Sequence, residues 1–247
     1  MISFKAETIF QIGDFPITNA IIDTLLVDIL ILIFIFIIAK NISLVPSFFQ
    51  NAVELLIGTF YDLTKLVAQE RAGKIFPFFM SFFIFILLAN WSELIPGASS
   101  IGVFHDKTLI PFLRSSTSDL NTTLAYAVIS VVATHALSIQ TLGIKGYLGR
   151  FFSLNPINLF VGLLEIVSEI TKLVSLSFRL FGNIFAGGVL LGVVSGIFAL
   201  IAPLPFLLLE IIVGLVQALI FAMLTMVFMA ILSTPHYQNE HIKEVRR

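Results

Sequence analysis

The chain has 247 residues, 58% of them hydrophobic and 12% charged, with a formal charge of -1 and a mean hydropathy of +1.04. Soluble domains carry charge on about a quarter of their residues, so this composition belongs to an integral membrane protein. The absence of cysteine excludes disulfide scaffolds, thiol catalysis and cysteine-bound zinc, and without a basic run of five or more residues no nucleic-acid partner is expected.

The first twenty residues lack a basic segment followed at once by an apolar core and a small-residue cleavage site. No removable signal peptide is therefore expected, and the first hydrophobic segment stays in the mature chain. A spanning helix needs roughly 20 mainly apolar residues. The first span is predicted over 16–39, with Asp23 and Asp28 confined to its first half. Phe49, Val53, Leu56, Phe60, Leu63 and Val67 then recur at helical spacing, with Glu54, Asp62 and Lys65 elsewhere on the wheel. That pattern predicts an amphipathic helix over 47–71, lying in the membrane interface or packed on other protein. A Phe-rich second span follows over 75–95 and ends in Asn90, Trp91, Ser92 and Glu93. The third span, 121–142, is weaker because it contains Ser130, Thr134, His135 and Ser138.

Residues 156–232 are apolar almost throughout and are broken near Pro203 and Pro205. Ala202 to Leu232 alone would rise about 46 Å as a helix, more than the roughly 30 Å hydrocarbon core, and the preceding segment is longer still. The expectation is a long, strongly tilted helical hairpin, closing an all-α, single-domain membrane protein of about five embedded helices plus the amphipathic one. Basic residues set its orientation. Lys5, Lys107 and Arg114 lie on one side, against Lys40, Lys65, Arg71, Lys74, Lys145, Arg150, Lys243, Arg246 and Arg247 on the other. Positive charges are retained inside, which predicts an outer amino terminus and a cytoplasmic carboxyl terminus.

Lys172 and Arg179 remain inside the hydrophobic mass. At 100° per residue, Glu165, Ser168, Lys172, Ser175 and Asn183 all fall within about 40° of Arg179, and Glu169 borders the stripe at about 80°. An ionised side chain at bilayer depth costs from about 2.5 to well over 10 kcal/mol, so such residues face a cavity, a partner charge or an ion path. Arg179 cannot escape by losing its proton. It suits a site where a mobile carboxylate is attracted, deprotonated and released; the competing reading is a static ion pair with Glu165, Glu169 or Glu210. The second hairpin helix supplies Glu210 and, within about 20° of the same face, Gln217. Glu210 reads as a proton relay or as the counter-ion of Arg179. Gly182, Ala186, Gly187, Gly188, Gly192 and Gly196 permit close helix approach. Asn90 and Glu93 could begin an aqueous inlet or form a solvated helix end. Asp119 and Asn121 read first as a helix cap, and His135 as a hydrogen-bonded core residue. No phosphate loop, metal-spaced histidine pair or nucleophile elbow is present, so no cofactor or metal is expected.

The stretch SLSFRLFGNIFAGG over 175–188, followed by QALIFAMLT over 217–225, resembles subunit a of the F-type ATP synthase. NWSELIP over 90–96, SDLNTTL over 118–124 and NPINL over 155–159 support the resemblance, which covers most of the chain from about residue 75. It implies a non-catalytic stator subunit of a rotary motor that conducts protons through two offset half-channels to the carboxylates of a c-ring. Its implied partners are the c-ring, the b subunits of the peripheral stalk and the rest of the synthase, set in a lipid bilayer. The family's essential arginine falls on Arg179, its neighbouring asparagine on Asn183 and its membrane glutamine on Gln217; half-channel positions fall on Asn90, Glu93, Glu165 and Ser175. Glu210 joins them as the relay, with Glu169, Lys172 and Asp119 as further candidates. Many bacterial relatives carry an acid just after the Ala-Gly pair and a histidine seven residues before the glutamine, where this chain has Gly188 and Glu210. The expectation is one carboxylate kept in the same cavity from the facing helix. A proton-coupled anion transporter is the rival reading, but the internal repeats usual in such proteins are not found. An intramembrane enzyme lacks a nucleophile-base or metal set. The motif wording favours a bacterial plasma membrane over a mitochondrial inner membrane.

Overall fold

The computed structural model describes residues 7–13, 15–95, 102–105, 108–111, 114–151, 156–197 and 202–234. Among the basic residues used for orientation, Lys5, Lys107, Lys243, Arg246 and Arg247 lie outside the described residues, as do Pro96 and Asn155 of the motifs. The described chain is an all-α membrane protein carrying two short β-hairpins. Four helical stretches, Asn19–Lys40, Phe48–Ser92, Leu120–Phe151 and Pro203–Ser233, are long and apolar enough to cross a membrane.

The first hairpin pairs β1 (Thr8–Ile12) with β2 (Phe15–Thr18), so Pro16 to Thr18 are extended and α1 (Asn19–Lys40) starts three residues later than the periodicity suggested. Alternating Thr8, Phe10 and Ile12 give the short period that competes with the helix. Asn19 ties the hairpin to α1: its backbone N–H donates to the Glu7 carbonyl at 3.0 Å and its side-chain oxygen accepts from Glu7 N at 3.2 Å. The rest of α1 exposes Leu25, Leu32 and Phe36, an apolar surface of the kind a membrane-crossing helix presents.

Ser47 caps α2 (Phe48–Ala68) by accepting from Gln50 N. Phe60 packs between Phe79 and Phe83 of α3 (Ala72–Ser92), while Leu55 and Leu66 face outward. In α3, buried Ile75, Phe79, Phe83 and Ile86 recur at steps of four, four and three and make one stripe of the core. A second hairpin, β3 (Gly102–His105) with β4 (Thr108–Pro111), occupies the loop before a short 3-10 turn over Ser116–Ser118.

α4 (Leu120–Phe151) breaks at Gly143, whose φ of 73° and ψ of 162° are left-handed values that favour glycine. The polar residues that weaken its hydropathy are cross-links. Thr123 Oγ1 lies 3.2 Å from Ser177 Oγ, Ser130 Oγ 2.8 Å from Thr225 Oγ1, and Ser138 Oγ donates to the Leu232 carbonyl at 2.7 Å. These bonds join α4 to α5 (Pro156–Ile197) and α6 (Pro203–Ser233). The contacts also set the directions: Gly187 meets Glu210 while Arg179 shares a crevice with Gln217, so α5 and α6 run antiparallel. α3 and α6 are antiparallel too, with Asn90 against Gly214 and Phe82 against Phe221. The common core gathers Phe79 and Ile86 of α3, Ala127 of α4, Leu176, Leu180 and Ile184 of α5, and Phe221, Met226 and Met229 of α6. At 42 residues, α5 is about 63 Å long, twice the thickness of a hydrocarbon core, so it cannot stand upright inside one.

Candidate functional site

Leu176, Leu180 and Ile184 turn one side of α5 into the core, and the opposite side leaves Phe178, Arg179, Asn183 and Ala186 exposed. The helical period thus projects a guanidinium from a narrow polar stripe on an otherwise apolar helix. Its recorded hydrogen bond is from Nη2 to Ser175 Oγ, a long 3.4 Å. Arg179 also lines a shallow crevice with Leu176, Leu180, Gln217, Ile220 and Phe221, which brings the arginine of one hairpin helix to the glutamine of the other.

Of the three carboxylates proposed as static partners of Arg179, two pair with other cations and the third is buried away from it. Glu165 Oε1 accepts from Arg150 Nε at 2.6 Å, and Arg150 Nη2 pairs with the same oxygen. Glu169 Oε1 accepts from Lys172 Nζ at 2.7 Å, and the ammonium also sits 4.4 Å from the centre of the Phe228 ring. Glu210 is buried against Gly187: a Cβ built there would overlap the Glu210 carboxyl group. No described carboxylate forms an ion pair with Arg179.

Glu210 Oε1 is buried without a hydrogen-bond partner. Beside it, a Cβ at Gly188 would stand 3.3 Å from Glu93 Oε1, so the two glycines form a floor on which carboxyl groups from α3 and α6 converge. The Glu210 carboxyl of α6 thus occupies the volume that a Cβ at Gly187 of α5 would take. Glu93 stands one residue past the end of α3.

Asn90 is not a solvated helix end. It is 2% exposed, donates to the Gly214 carbonyl at 2.9 Å and accepts from Thr117 Oγ1 at 2.7 Å. Trp91 Nε1 reaches the Ile211 carbonyl one turn away at 3.1 Å, so the α3 end is fastened to α6 beside Glu210. Asp119 acts as the cap of α4, its Oδ1 accepting from Asn121 N at 3.1 Å.

Sequence reasoning left Asp23 and Arg150 out of the site. Asp23 is fully buried on α1, with Oδ2 accepting from Ser116 N at 2.9 Å and Oδ1 unpartnered. An acid within an apolar helix was the available signal, one it shares with Asp28. Arg150 was read as a loop charge, yet it binds Glu165 and also donates from Nη1 to the Ile231 and Leu232 carbonyls at 3.2 and 3.3 Å, capping α6. That contact crosses the break at Gly143, and periodicity on one helix carries no trace of it.

Comparison with known proteins agrees with this architecture. Residues 21–230 match the family described as ATP synthase A chain. The chain is 32% identical to ATP synthase subunit a of Moorella thermoacetica, across 93% of this chain and 97% of that one. It is 35% identical to the subunit a of Desulfotalea psychrophila over 81% and 80% of the two chains. It is 32% identical to that of Legionella pneumophila over 92% and 91%. With its several apolar helices and a match that spans most of its length, the chain belongs to the ATP synthase subunit a family, a multi-pass component of the proton-translocating membrane sector.

Proposed function

We propose that this chain is the stator that passes protons through two offset aqueous half-channels to and from the carboxylates of a c-ring, coupling proton flow to rotation. The observation that carries this reading is Arg179, an exposed guanidinium on the polar stripe of an otherwise apolar helix, whose neighbouring carboxylates Glu165 and Glu169 pair with other cations. A permanent cation held this way is complementary to an acid that arrives from another subunit.

A ring carboxylate protonated in the first half-channel is neutral and can travel through lipid; after nearly a full turn it reaches the second half-channel and ionises. The anion is then drawn to Arg179, which holds no exchangeable proton at accessible pH and so blocks direct leakage between the channels. Glu93 and Glu210, converging over Gly187 and Gly188, serve as relay groups on the outer path, with Asn90 fixing the α3 end beside them. Gln217 shares the crevice of the arginine, Asn183 stands exposed one turn along α5, and Ser175 accepts a hydrogen bond from the guanidinium. Glu165, Glu169 and Lys172 belong to the inner path, and Asp119 supports the outer one by capping α4. The membrane potential supplies about 2.3 kcal/mol per charge per 100 mV, so several protons drive each ATP made elsewhere in the complex. The partners are the c-ring, the b subunits and the remainder of the synthase. The setting is a bacterial inner membrane with the amino terminus outside.

Arg179→Ala in the assembled complex is expected to abolish proton-coupled ATP synthesis while leaving subunit a in place. Near-normal coupled synthesis in that variant refutes the reading.

A further inference from the structure

The polar stripe of α5 does not end at Arg179. Toward the side of the basic loops, Lys172 holds Glu169 Oε1 at 2.7 Å, Glu169 Oε2 lies 3.8 Å from His135 Nε2 on α4, and His135 Nδ1 lies 3.0 Å from the Tyr147 hydroxyl. This last contact depends on the break in α4. In an unbroken helix Tyr147 would stand about 18 Å along the axis from His135, whereas the turn at Gly143 brings hydroxyl and ring together. The result is a row of exchangeable groups joining α5 to α4, hydrogen-bonded at both ends with a 3.8 Å step between Glu169 and His135.

From its own helix, Tyr147 and the Phe151 ring face His135. From α5 come Glu169 and Lys172, with the Arg150–Glu165 pair a turn nearer the helix start. α6 brings the Phe228 ring beneath Lys172, and its one titratable side chain, Glu210, lies 18 residues earlier in that helix. The His135 side chain is 23% exposed, against 11% for Glu169, so the row runs from a more buried carboxylate to a more accessible imidazole.

We infer that His135 is the proton-relay group at the inner end of the path, carrying protons between Glu169 and water. With Nδ1 protonated and donating to the Tyr147 hydroxyl oxygen, the Nε2 lone pair faces Glu169 Oε2. When the 3.8 Å separation closes to hydrogen-bond distance, a proton leaving Oε2 adds to Nε2, giving an imidazolium and a carboxylate. The imidazolium then loses one proton to water and returns to a neutral ring. Tyr147 orients the imidazole, and Lys172 receives the Glu169 carboxylate left behind. The inference rests on the reading of this chain as the proton-conducting stator.

The test is ATP-driven proton pumping by the whole synthase in inverted membrane vesicles, normalised to assembled complex. His135→Ala is expected to slow pumping by roughly tenfold or more, the scale of a lost positioned acid-base group, and added imidazole is expected to restore it. An undiminished rate, or a slow rate that imidazole does not lift, overturns the inference, because a histidine needed only for packing is not replaced by a free buffer. Where His135→Ala reduces assembly, Glu169→Gln decides: it keeps the shape but carries no proton, so slowed pumping supports the relay and unchanged pumping overturns it. Arg179→Ala, run in parallel, separates the two levels. A dead Arg179→Ala beside an unimpaired His135→Ala rejects the relay alone, whereas a coupled Arg179→Ala rejects the stator reading itself.

Discussion

Gly187→Ala tests the seat of Glu210 most directly. The added methyl would overlap the Glu210 carboxyl group, whose atoms surround the position a Cβ would take. Carbon and oxygen return to ordinary van der Waals separation only when the carboxyl withdraws by more than about 1 Å. Overpacking of this kind costs about 1–3 kcal/mol, small enough for the complex to assemble. A displacement of about 1 Å at a proton-transfer group can nevertheless cost about a hundredfold in rate. The expected outcome is a ten- to hundredfold fall in ATP-driven pumping, roughly, with normal amounts of subunit a in the membrane. Glu210→Asp, which shortens the side chain by one carbon–carbon bond of about 1.5 Å, is expected to recover part of the loss in the Gly187→Ala background by clearing the methyl. Wild-type pumping in Gly187→Ala, or a double variant no better than the single, would refute the argument that Gly187 exists to admit this carboxyl.

Removing Arg150 strands the half-buried carboxylate of Glu165 and uncaps the α6 carbonyls of Ile231 and Leu232. Arg150→Ala is therefore expected to destabilise the subunit by about 3–5 kcal/mol, and Arg150→Met with Glu165→Gln by distinctly less; thermal release of the subunit from the solubilised complex measures both. Ser130→Ala and Thr225→Val, alone and together, form a cycle across the α4–α6 hydrogen bond of 2.8 Å. A coupling of about 0.6–1.7 kcal/mol is expected from interhelical bonds in membranes, and zero coupling would remove this bond from the account of how α4 is held.

The stripe through Glu165, Lys172 and Arg179 was legible because a helix repeats its faces every 3.6 residues, and charge in an apolar background stands out at that period. The hairpin was legible for a similar reason: its apolar length exceeds any bilayer, and two prolines mark the start of α6. What each charge touches was not legible. Three carboxylates were near enough along the helices to claim Arg179, and the structure gives Glu165 to Arg150, Glu169 to Lys172 and Glu210 to a glycine floor. The first assignment depends on a backbone break at Gly143, and the third on how closely α5 and α6 approach. Asn90 shows the same limit in reverse, because a polar residue at the end of an apolar run looks solvated until the partners Gly214 and Thr117 are placed beside it. The two β-hairpins were missed because their strands are four or five residues long, too short for a period of two to outweigh neighbouring helical signals.

The parallel arrangement of α4 and α6 has a mechanical corollary. Ser130 is fastened to Thr225, and Ser138 to the backbone at Leu232 about two turns further along both helices. Two rivets spaced along adjacent rods resist sliding as well as separation, which one rivet cannot do. In the proposed stator, a rotor pressing sideways on the flank of α5 and α6 would meet a braced panel, and the reaction to its torque would pass into α4, which would keep the fixed cation in register with each passing acid.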